Sequence, residues 1–332
     1  MNEFDLIARY FTRPATRAAL GVGDDCALLM PRPGTQVAIS SDMLVEGRHF
    51  FAGTDPFNLG HKALAVNLSD LAACGAQPLA FTLALALPSI DEAWLKPFAD
   101  GLWALADAHN CELIGGDTTR GPLNICITVF GEVPVVASRS QALLRSGAQP
   151  GDDVYVSGTL GDARLALLAL QGRITLPESM LAAARARLER PTPRVALGMA
   201  LRGLASAAID LSDGLSGDLG HLLRSSGAGA TINTDVAISL IATKPYRTCE
   251  NGIFEQVNTP FPWLDCVLTG GDDYELAFTA PPAARPAVKA AARQSATPVT
   301  RIGRIDAEPG LRLVDTQGCA VPGGHASFDH FA

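Results

Sequence analysis

The 332-residue chain lacks the sequence features of several common protein classes. Its seven cysteines are odd in number, widely spaced and never in a CxxC pair, which argues against a disulfide framework and a zinc site. The longest apolar run, residues 79–87, is too short to span a bilayer. No basic stripe is present in the sequence. These features, with an acidic N-terminus unlike a secretory signal, predict a cytoplasmic protein without membrane or nucleic-acid partners.

The familiar nucleotide-binding and nucleophile motifs are also missing from the sequence. None of the four lysines follows a glycine in a GxxxxGK[ST] pattern, and neither an HRD and DFG set nor a GxSxG elbow occurs. Gly21-Val22-Gly23 lacks the third glycine of a dinucleotide-binding fingerprint. If the protein uses ATP, carboxylate-held Mg²⁺ must therefore supply most of the charge neutralisation at the phosphates.

What the chain does contain predicts two mixed domains. Apolar residues make up 48% of the sequence and charged residues 18%, so large cores can be buried. The Gly-, Ser- and Arg-rich segment 138–153 contains Pro150-Gly151 and predicts a boundary between domains 1–138 and 139–332. Periodicity predicts an α/β or α+β fold. The predicted helices are 2–11, 57–74, 91–109, 163–170, 194–204, 214–223 and 283–294, and the predicted strands are 37–41, 79–87, 113–114, 124–133, 154–157, 207–211, 274–279, 299–305 and 311–314.

Aspartates recur in short, mostly glycine-flanked motifs, and this pattern is the main chemical signal. One such motif is typical of an ordinary turn, because Asp bonds to nearby backbone amides. Asp42 and Asp117, however, end apolar strands, and Asp70 lies in an apolar helix, where an unpaired carboxylate would be costly to bury. Together they indicate hard-cation sites made of carboxylate and hydroxyl oxygens. The net charge of −8 fits either these sites or simple solubility. The motifs are GDD (23–25), SSD (40–42), NLSD (67–70), GGD (115–117), DLSDG (210–214) and GGDD (270–273).

These motifs resemble the thiamine-monophosphate kinase family. That family shares a superfamily with aminoimidazole ribonucleotide synthetase, selenophosphate synthetase and a hydrogenase maturation factor. The resemblance extends from Phe4 to Phe331. It is carried by GVGDDCALL (21–29), AISSDMLVEGRHF (38–50), KALAVNLSDLAACGAQP (62–78), LIGGDTTRGPL (113–123), RSGAQPGD (145–152), AIDLSDGL (208–215), GGDDYEL (270–276) and FDHF (328–331).

The resemblance implies a fold, a reaction and a set of site residues. The fold would be two-domain and aminoimidazole ribonucleotide synthetase-like, with an N-terminal ATP- and Mg²⁺-binding domain that forms a β-barrel across a homodimer, and a C-terminal α/β domain. The reaction would move the ATP γ-phosphoryl group to thiamine phosphate, with several Mg²⁺ ions and with no catalytic residue beyond the metal and phosphate ligands. The implied Mg²⁺ ligands are Asp25, Ser40, Ser41, Asp42, Asp70, Asp117, Asp210 and Asp213; the ATP contacts are Gly116, Asp117, Arg145 and Ser212; the acceptor contacts are His49, Asp272 and Phe328.

Three positions depart from the usual family pattern. Asp272 replaces the glutamate of GGEDYEL, Ser41 replaces a frequent threonine, and Phe328 replaces a tyrosine or tryptophan. The first and third bear on acceptor contact. The rival interpretations are another ATP-dependent superfamily member, a metal-dependent phosphohydrolase and an inactive binding module. The chain has neither the reactive cysteine of a selenophosphate synthetase nor the C-terminal cysteine of the hydrogenase maturation factor.

Overall fold

The computed structural model describes residues 2–243 and 263–322. The chain divides into two compact units. The first unit comprises Met1–Leu143 and Glu189–Gly203, and the second comprises Leu144–Leu188 and Leu204–Ala332. The sequence predicted a boundary after residue 138; the division falls after Leu143 and adds a later segment to the first unit. The predicted domain limits stay a prediction.

The first unit is a mixed sheet with helices on one face. The strands are β1 (Thr35–Val45), β2 (Gln77–Leu87), β3 (Glu112–Arg120), β4 (Asn124–Val136) and β5 (Arg139–Ser140), and the helices are α1 (Glu3–Leu6, continued by a π-helical turn Ile7–Phe11), α2 (Pro56–Ala73), α3 (Glu92–Ala108) and α6 (Val195–Ala200). The strands run in the order β1-β4-β2-β3, with β5 paired to β4. β1 and β2 are both antiparallel to β4, and β3 is parallel to β2.

Helix α2 organises this unit. It begins at Asp55, whose carboxylate accepts the Asn58 N–H (3.0 Å), with Pro56 in the first helical position. It packs against β1, β4, α3 and α6. The contact with α3 is backbone to backbone, because a Cβ on Gly60 would lie 2.0 Å from the Phe98 carbonyl oxygen. Only glycine permits so close an approach of the two helices.

The sheet of the first unit has two chemically different faces. Toward α2, strand β4 presents Ile125, Ile127 and Val129, which are all buried. On the opposite face, β1 presents Ile39 and Met43, which are 63% and 52% exposed. The period of two along a strand produces this division. It leaves an apolar sheet face that the described part of this unit does not bury.

The second unit contains a six-stranded sheet in the order β11-β8-β10-β6-β9-β7. Neighbours are antiparallel except β8 and β11. Helix α7 packs against β7 and β11, and α8 packs against β8 and β10. The strands are β6 (Asp153–Ser157), β7 (Ala207–Leu211), β8 (Gly229–Asn233), β9 (Glu275–Ala280), β10 (Val299–Asp306) and β11 (Gly310–Val314), and the helices are α4 (Asp162–Leu170), α5 (Glu178–Glu189), α7 (Leu215–Ser226), α8 (Thr234–Ile238), α9 (Trp263–Leu268) and α10 (Arg285–Gln294).

Both units combine strands and helices, as the periodicity predicted. No helix in residues 2–243 or 263–322 has the length and apolar character needed to cross a membrane.

Candidate active site

In the first unit, β1 and α2 bring three of the predicted metal ligands to one place. Ser40 and Asp42 lie on the β1 face toward α2, since they pair with the buried residues Val129 and Ile127 of β4. The Ser40 hydroxyl donates to an Asp70 carboxylate oxygen on α2 (2.5 Å). An all-oxygen arrangement of this kind suits a hard cation such as Mg²⁺.

Asn67 is a member of this group that the sequence interpretation did not assign. Its side-chain oxygen accepts the backbone N–H of Asp42 (3.1 Å), and its amide nitrogen donates to the Ala63 carbonyl (3.0 Å). Asn67 therefore ties the end of β1 to α2. Its place three residues before Asp70 in the NLSD motif was the available signal, because residues three apart share a helix face.

Ser41 does not join this group through its side chain. It pairs with Thr128 of β4, and its hydroxyl lies 2.9 Å from the Thr128 hydroxyl and 3.2 Å from the Ile127 carbonyl oxygen. Neighbouring residues of a strand point to opposite faces, so the Ser41 hydroxyl lies on the open sheet face. The structure thus separates Ser41 from Ser40 and Asp42, although the three are consecutive.

The other predicted residues of the first unit occupy turns and strand ends. Asp25 is exposed in a turn in which its N–H bonds to the Asp24 carboxylate (2.8 Å). Asp117 is exposed on β3, and the preceding Gly116 has a φ of 151° with the Leu83 carbonyl oxygen 1.8 Å from where a Cβ would be. His49 folds back on β1, and its Nδ1 accepts the Val45 N–H (3.0 Å).

In the second unit, a turn at the end of β7 carries three predicted residues. Asp210 is buried at the end of β7, and Ser212 and Asp213 form the turn before α7. The carboxylate of Asp218, inside α7, accepts the Asp213 N–H (3.0 Å) and holds this turn. Burial raises the pKa of Asp218 to about 7, against the opposing effect of that hydrogen bond.

A second loop, Gly271–Tyr274, is bonded directly to this turn. The Asp272 N–H donates to the Ser212 carbonyl (2.9 Å), and the Tyr274 N–H donates to the Leu211 carbonyl (2.8 Å). The backbones of the loop and the turn approach each other closely, since a Cβ on Gly271 would lie 2.3 Å from the Ser212 carbonyl oxygen. The predicted acceptor residue Asp272 is therefore held beside the predicted metal and ATP residues of the 211–214 turn.

Arg145 lies near helix α7, and Phe328 lies outside the described residues. Burial raises the pKa of Asp218 and lowers that of His221, and the positive charge of Arg145 acts to lower both. The Arg145 carbonyl accepts the Ser226 hydroxyl at the end of α7 (3.2 Å). In the described ranges, no group of three or more His, Cys, Asp or Glu side chains is placed to hold a metal ion.

Comparison with known families defines the class of this fold. Residues 23–133 match the model of the N-terminal domain of AIR synthase related proteins, and residues 149–316 match the model of their C-terminal domain. The protein therefore has the two-domain AIR synthase related fold with mixed α/β content.

Individual relatives narrow the class to one family. The thiamine-monophosphate kinase of Salmonella typhimurium is 46% identical over all of this chain and 98% of its own length. The crystal structure of thiamine-monophosphate kinase from Stenotrophomonas maltophilia superposes with a TM-score of 0.80 at 45% identity, covering 96% of each chain. A complex of AaThiL with AMPPCP and TMP gives a TM-score of 0.70 at 27% identity and covers 90% of this chain and 89% of that one. The chain belongs to the thiamine-monophosphate kinase family.

Proposed function

We propose that this protein transfers the γ-phosphoryl group of ATP directly to thiamine monophosphate, giving thiamine diphosphate and ADP. Family membership over the full length makes the chain an ATP-dependent kinase of thiamine biosynthesis. The observation that carries the residue assignment is the pair of hydrogen bonds joining the 211–214 turn to the Gly271–Tyr274 loop. They hold a candidate acceptor contact next to candidate metal and ATP contacts.

The residues in place fit Mg²⁺ by the chemistry of their donors. The proposed ligands offer carboxylate and hydroxyl oxygens, with neither thiolate nor imidazole among them. In the first unit, Asp42, Asp70 and Ser40 would hold Mg²⁺. In the second unit, Asp210 and Asp213 would also hold Mg²⁺. Asp25 and Asp117 complete the proposed set of side chains, and Ser41 would contribute only backbone atoms because its hydroxyl lies on the open sheet face. Bound Mg²⁺ would neutralise phosphate charge and orient the reacting oxygens.

The remaining residues of the proposed site bind and orient phosphates. Arg145 offers a planar set of donors that matches phosphate oxygens. Gly116, in a conformation that excludes a side chain, permits close approach of the backbone to ATP. No general base is required, because the acceptor is a phosphate monoester whose second pKa is about 6 and whose oxygen is ionised at neutral pH. Positioning and charge neutralisation therefore account for the catalysis.

The acceptor contacts are assigned to His49, Asp272 and Phe328. In the neutral ring of His49, acceptance of the Val45 N–H by Nδ1 leaves the proton on Nε2. Asp272 is the proposed determinant of acceptor affinity in the second unit. We place the reaction in the cytoplasm, in keeping with the free thiols of the six cysteines that lie in the described ranges.

We also propose that the protein is a homodimer in which the first-unit sheets of two copies close a barrel. The support is the open sheet face, where Val37, Ile39 and Met43 of β1 are all exposed. Three large apolar side chains on one face of a strand form the kind of patch that marks a protein interface. A second copy would cover this face with a surface of the same composition.

Product analysis tests the proposed reaction. The purified protein is incubated with ATP and Mg²⁺, with and without thiamine monophosphate, and ADP, inorganic phosphate and thiamine diphosphate are quantified. We expect ADP formation to require thiamine monophosphate and to match thiamine diphosphate one to one. Acceptor-independent release of inorganic phosphate would support a phosphohydrolase and contradict the proposal.

A further inference from the structure

A buried ionic cluster lies beneath the Gly271–Tyr274 loop and has no role in the proposed chemistry. Its acidic members are Asp273, which is 2% exposed, and Glu275, which is fully buried. Both carboxylate oxygens of Asp273 accept the Gly161 N–H (3.1 and 2.9 Å). Glu275 accepts the Ser157 hydroxyl through one oxygen (2.6 Å). Two carboxylates are thus buried within three residues of Asp272.

Arg187 connects this cluster to the backbone of the loop. It lies in the last turn of α5, and its side chain is 19% exposed. Its Nη2 donates to the second carboxylate oxygen of Glu275 (2.8 Å) and also to the backbone carbonyl of Asp273 (3.3 Å). One guanidinium therefore pairs with a buried carboxylate on β9 and holds the main chain immediately after Asp272.

The conformation of the loop makes such support necessary. Asp272 and Tyr274 have φ values of 68° and 50°. Residues other than glycine rarely adopt this left-handed region of the backbone. Residues persist in this region only where their surroundings hold them. The 211–214 turn accepts the two loop amides, and Arg187 binds the carbonyl between them. Gly158 packs directly against the cluster, since a Cβ at this position would lie 2.1 Å from a Glu275 carboxylate oxygen.

Arg187 forms its ion pair with Glu275 and not with Asp273. Burial raises the pKa of Asp273 well above its usual range, although the Gly161 amide and Arg187 act in the opposite direction. The ion pair of Arg187 is instead with Glu275, whose carboxylate oxygen lies 2.8 Å from Nη2. Removing Arg187 alone would take a paired positive charge away from this buried carboxylate, which is destabilising.

We propose that Arg187 is a positioning residue for the phosphoryl acceptor: through Glu275 and the Asp273 carbonyl, it holds the Gly271–Tyr274 loop in the conformation that presents Asp272. The inference rests on the proposed function, in which Asp272 contacts thiamine phosphate. It extends the acceptor site to a residue that does not touch the acceptor.

The test separates positioning from simple stabilisation by comparing Arg187→Met with the double variant Arg187→Met/Glu275→Gln. The single variant removes the Arg187 charge from Glu275 and should unfold at a lower temperature than wild type. The double variant removes both charges and should recover most of that loss. Its loop still lacks the bond to the Asp273 carbonyl, so its KM for thiamine monophosphate should stay raised by about tenfold, with the KM for ATP within about twofold of wild type.

Two further variants sharpen the comparison. Arg187→Lys keeps the charge and a donor, and should recover part of the acceptor KM. Arg285→Met is the control: it removes one of the two arginines that pair with the buried carboxylate of Asp153, which lies opposite Ala280 at the far end of β9. The control should lose stability without a change in acceptor KM.

Amide hydrogen exchange provides a readout that does not depend on the reaction. In the double variant, the N–H groups of Asp272 and Tyr274 should exchange faster than in wild type, while those in the middle of β9 should not change. The inference is overturned if the double variant has wild-type exchange in the loop, or if it exchanges faster but has a wild-type acceptor KM. If the wild-type protein makes no thiamine diphosphate, the proposed function fails, and the exchange data still decide whether Arg187 holds the loop.

Discussion

Asp272 shows how one residue can combine a chemical role with a backbone requirement. Its φ of 68° lies in the left-handed region, which aspartate and asparagine tolerate better than most residues. Asp272→Asn therefore removes the negative charge while keeping a side chain suited to this conformation. We expect the KM for thiamine monophosphate to rise by about tenfold, the cost of one charged hydrogen bond, with the KM for ATP unchanged. Unaltered acceptor kinetics would refute the assignment of Asp272.

A second prediction for a single residue concerns Asp42, one of the proposed metal ligands. Asp42→Asn should lower kcat by roughly 10²–10³-fold, because loss of a metal contact removes several kcal/mol of transition-state stabilisation. Raising Mg²⁺ should restore part of the rate. Asp107→Asn is a suitable control, since Asp107 is an exposed aspartate of the same unit that pairs with Arg13. Steady-state rates over a Mg²⁺ titration measure the effect, and equal rates for Asp42→Asn and wild type would contradict the role of Asp42.

The two serines of the SSD motif show which property of single residues the sequence did not predict, namely the sheet face on which each side chain lies. The family resemblance implied that Ser40, Ser41 and Asp42 all bind metal, but their side chains alternate between the two faces of β1. The pairing of Ser40 with Asp70 needs the contact between β1 and α2, which local sequence does not encode. The NLSD motif placed Asn67 on the helix face of Asp70, but its bond to the Asp42 N–H depends on the same contact between β1 and α2. Motifs identified the segments, and the fold decided which side chains meet.

At the scale of elements, strongly patterned segments were predicted well. The helix predicted over 57–74 matches α2 (Pro56–Ala73), and the strand predicted over 79–87 overlaps β2 (Gln77–Leu87). The predicted helix 194–204 is shorter in the structure, as α6 (Val195–Ala200). Helix α5 was missed because only Ala184 and Leu188 are buried, which gives little periodicity. Strand β8 was missed because it is five residues long and its partners, β10 and β11, are distant in sequence.

The turn between β7 and α7 carries a prediction about pH. Because burial raises the pKa of Asp218 from 3.8 to about 7, the folded state binds this proton more tightly than the unfolded state. The contribution of Asp218 to stability is therefore complete below pH 3.8 and is lost as the pH rises toward 7. Asp218→Asn lacks this titration and can still accept the Asp213 N–H.

Urea unfolding in a buffer that contains EDTA measures this effect. Relative to its value at pH 4, the free energy of unfolding of wild type should fall between pH 4 and pH 7 by as much as about 1.4 kcal/mol per pH unit more than that of Asp218→Asn. Parallel pH profiles for the two proteins would show that Asp218 is not protonated in the folded state.

At the scale of the whole molecule, the exposed face of the first-unit sheet predicts the oligomeric state. Light scattering should give twice the chain mass of 34.7 kDa for wild type. Ile39→Asp should shift the protein to monomers, because a charge in the centre of an apolar interface is costly to desolvate. Ile90→Asp, in the loop between β2 and α3, should leave the mass unchanged. A monomeric wild-type protein, or a dimeric Ile39→Asp variant, would contradict the proposed barrel.

The proposed reaction is direct transfer from ATP to thiamine monophosphate, without a phosphoenzyme. The acceptor oxygen is already ionised, so a phosphoenzyme would add a step without lowering a barrier. The decisive measurement uses ATP that is chiral at the γ-phosphorus, with analysis of the β-phosphate of the thiamine diphosphate formed. We expect quantitative transfer of the label with inversion of configuration, which is the result of a single in-line transfer. Net retention, or a labelled protein formed from ATP alone at a competent rate, would contradict it.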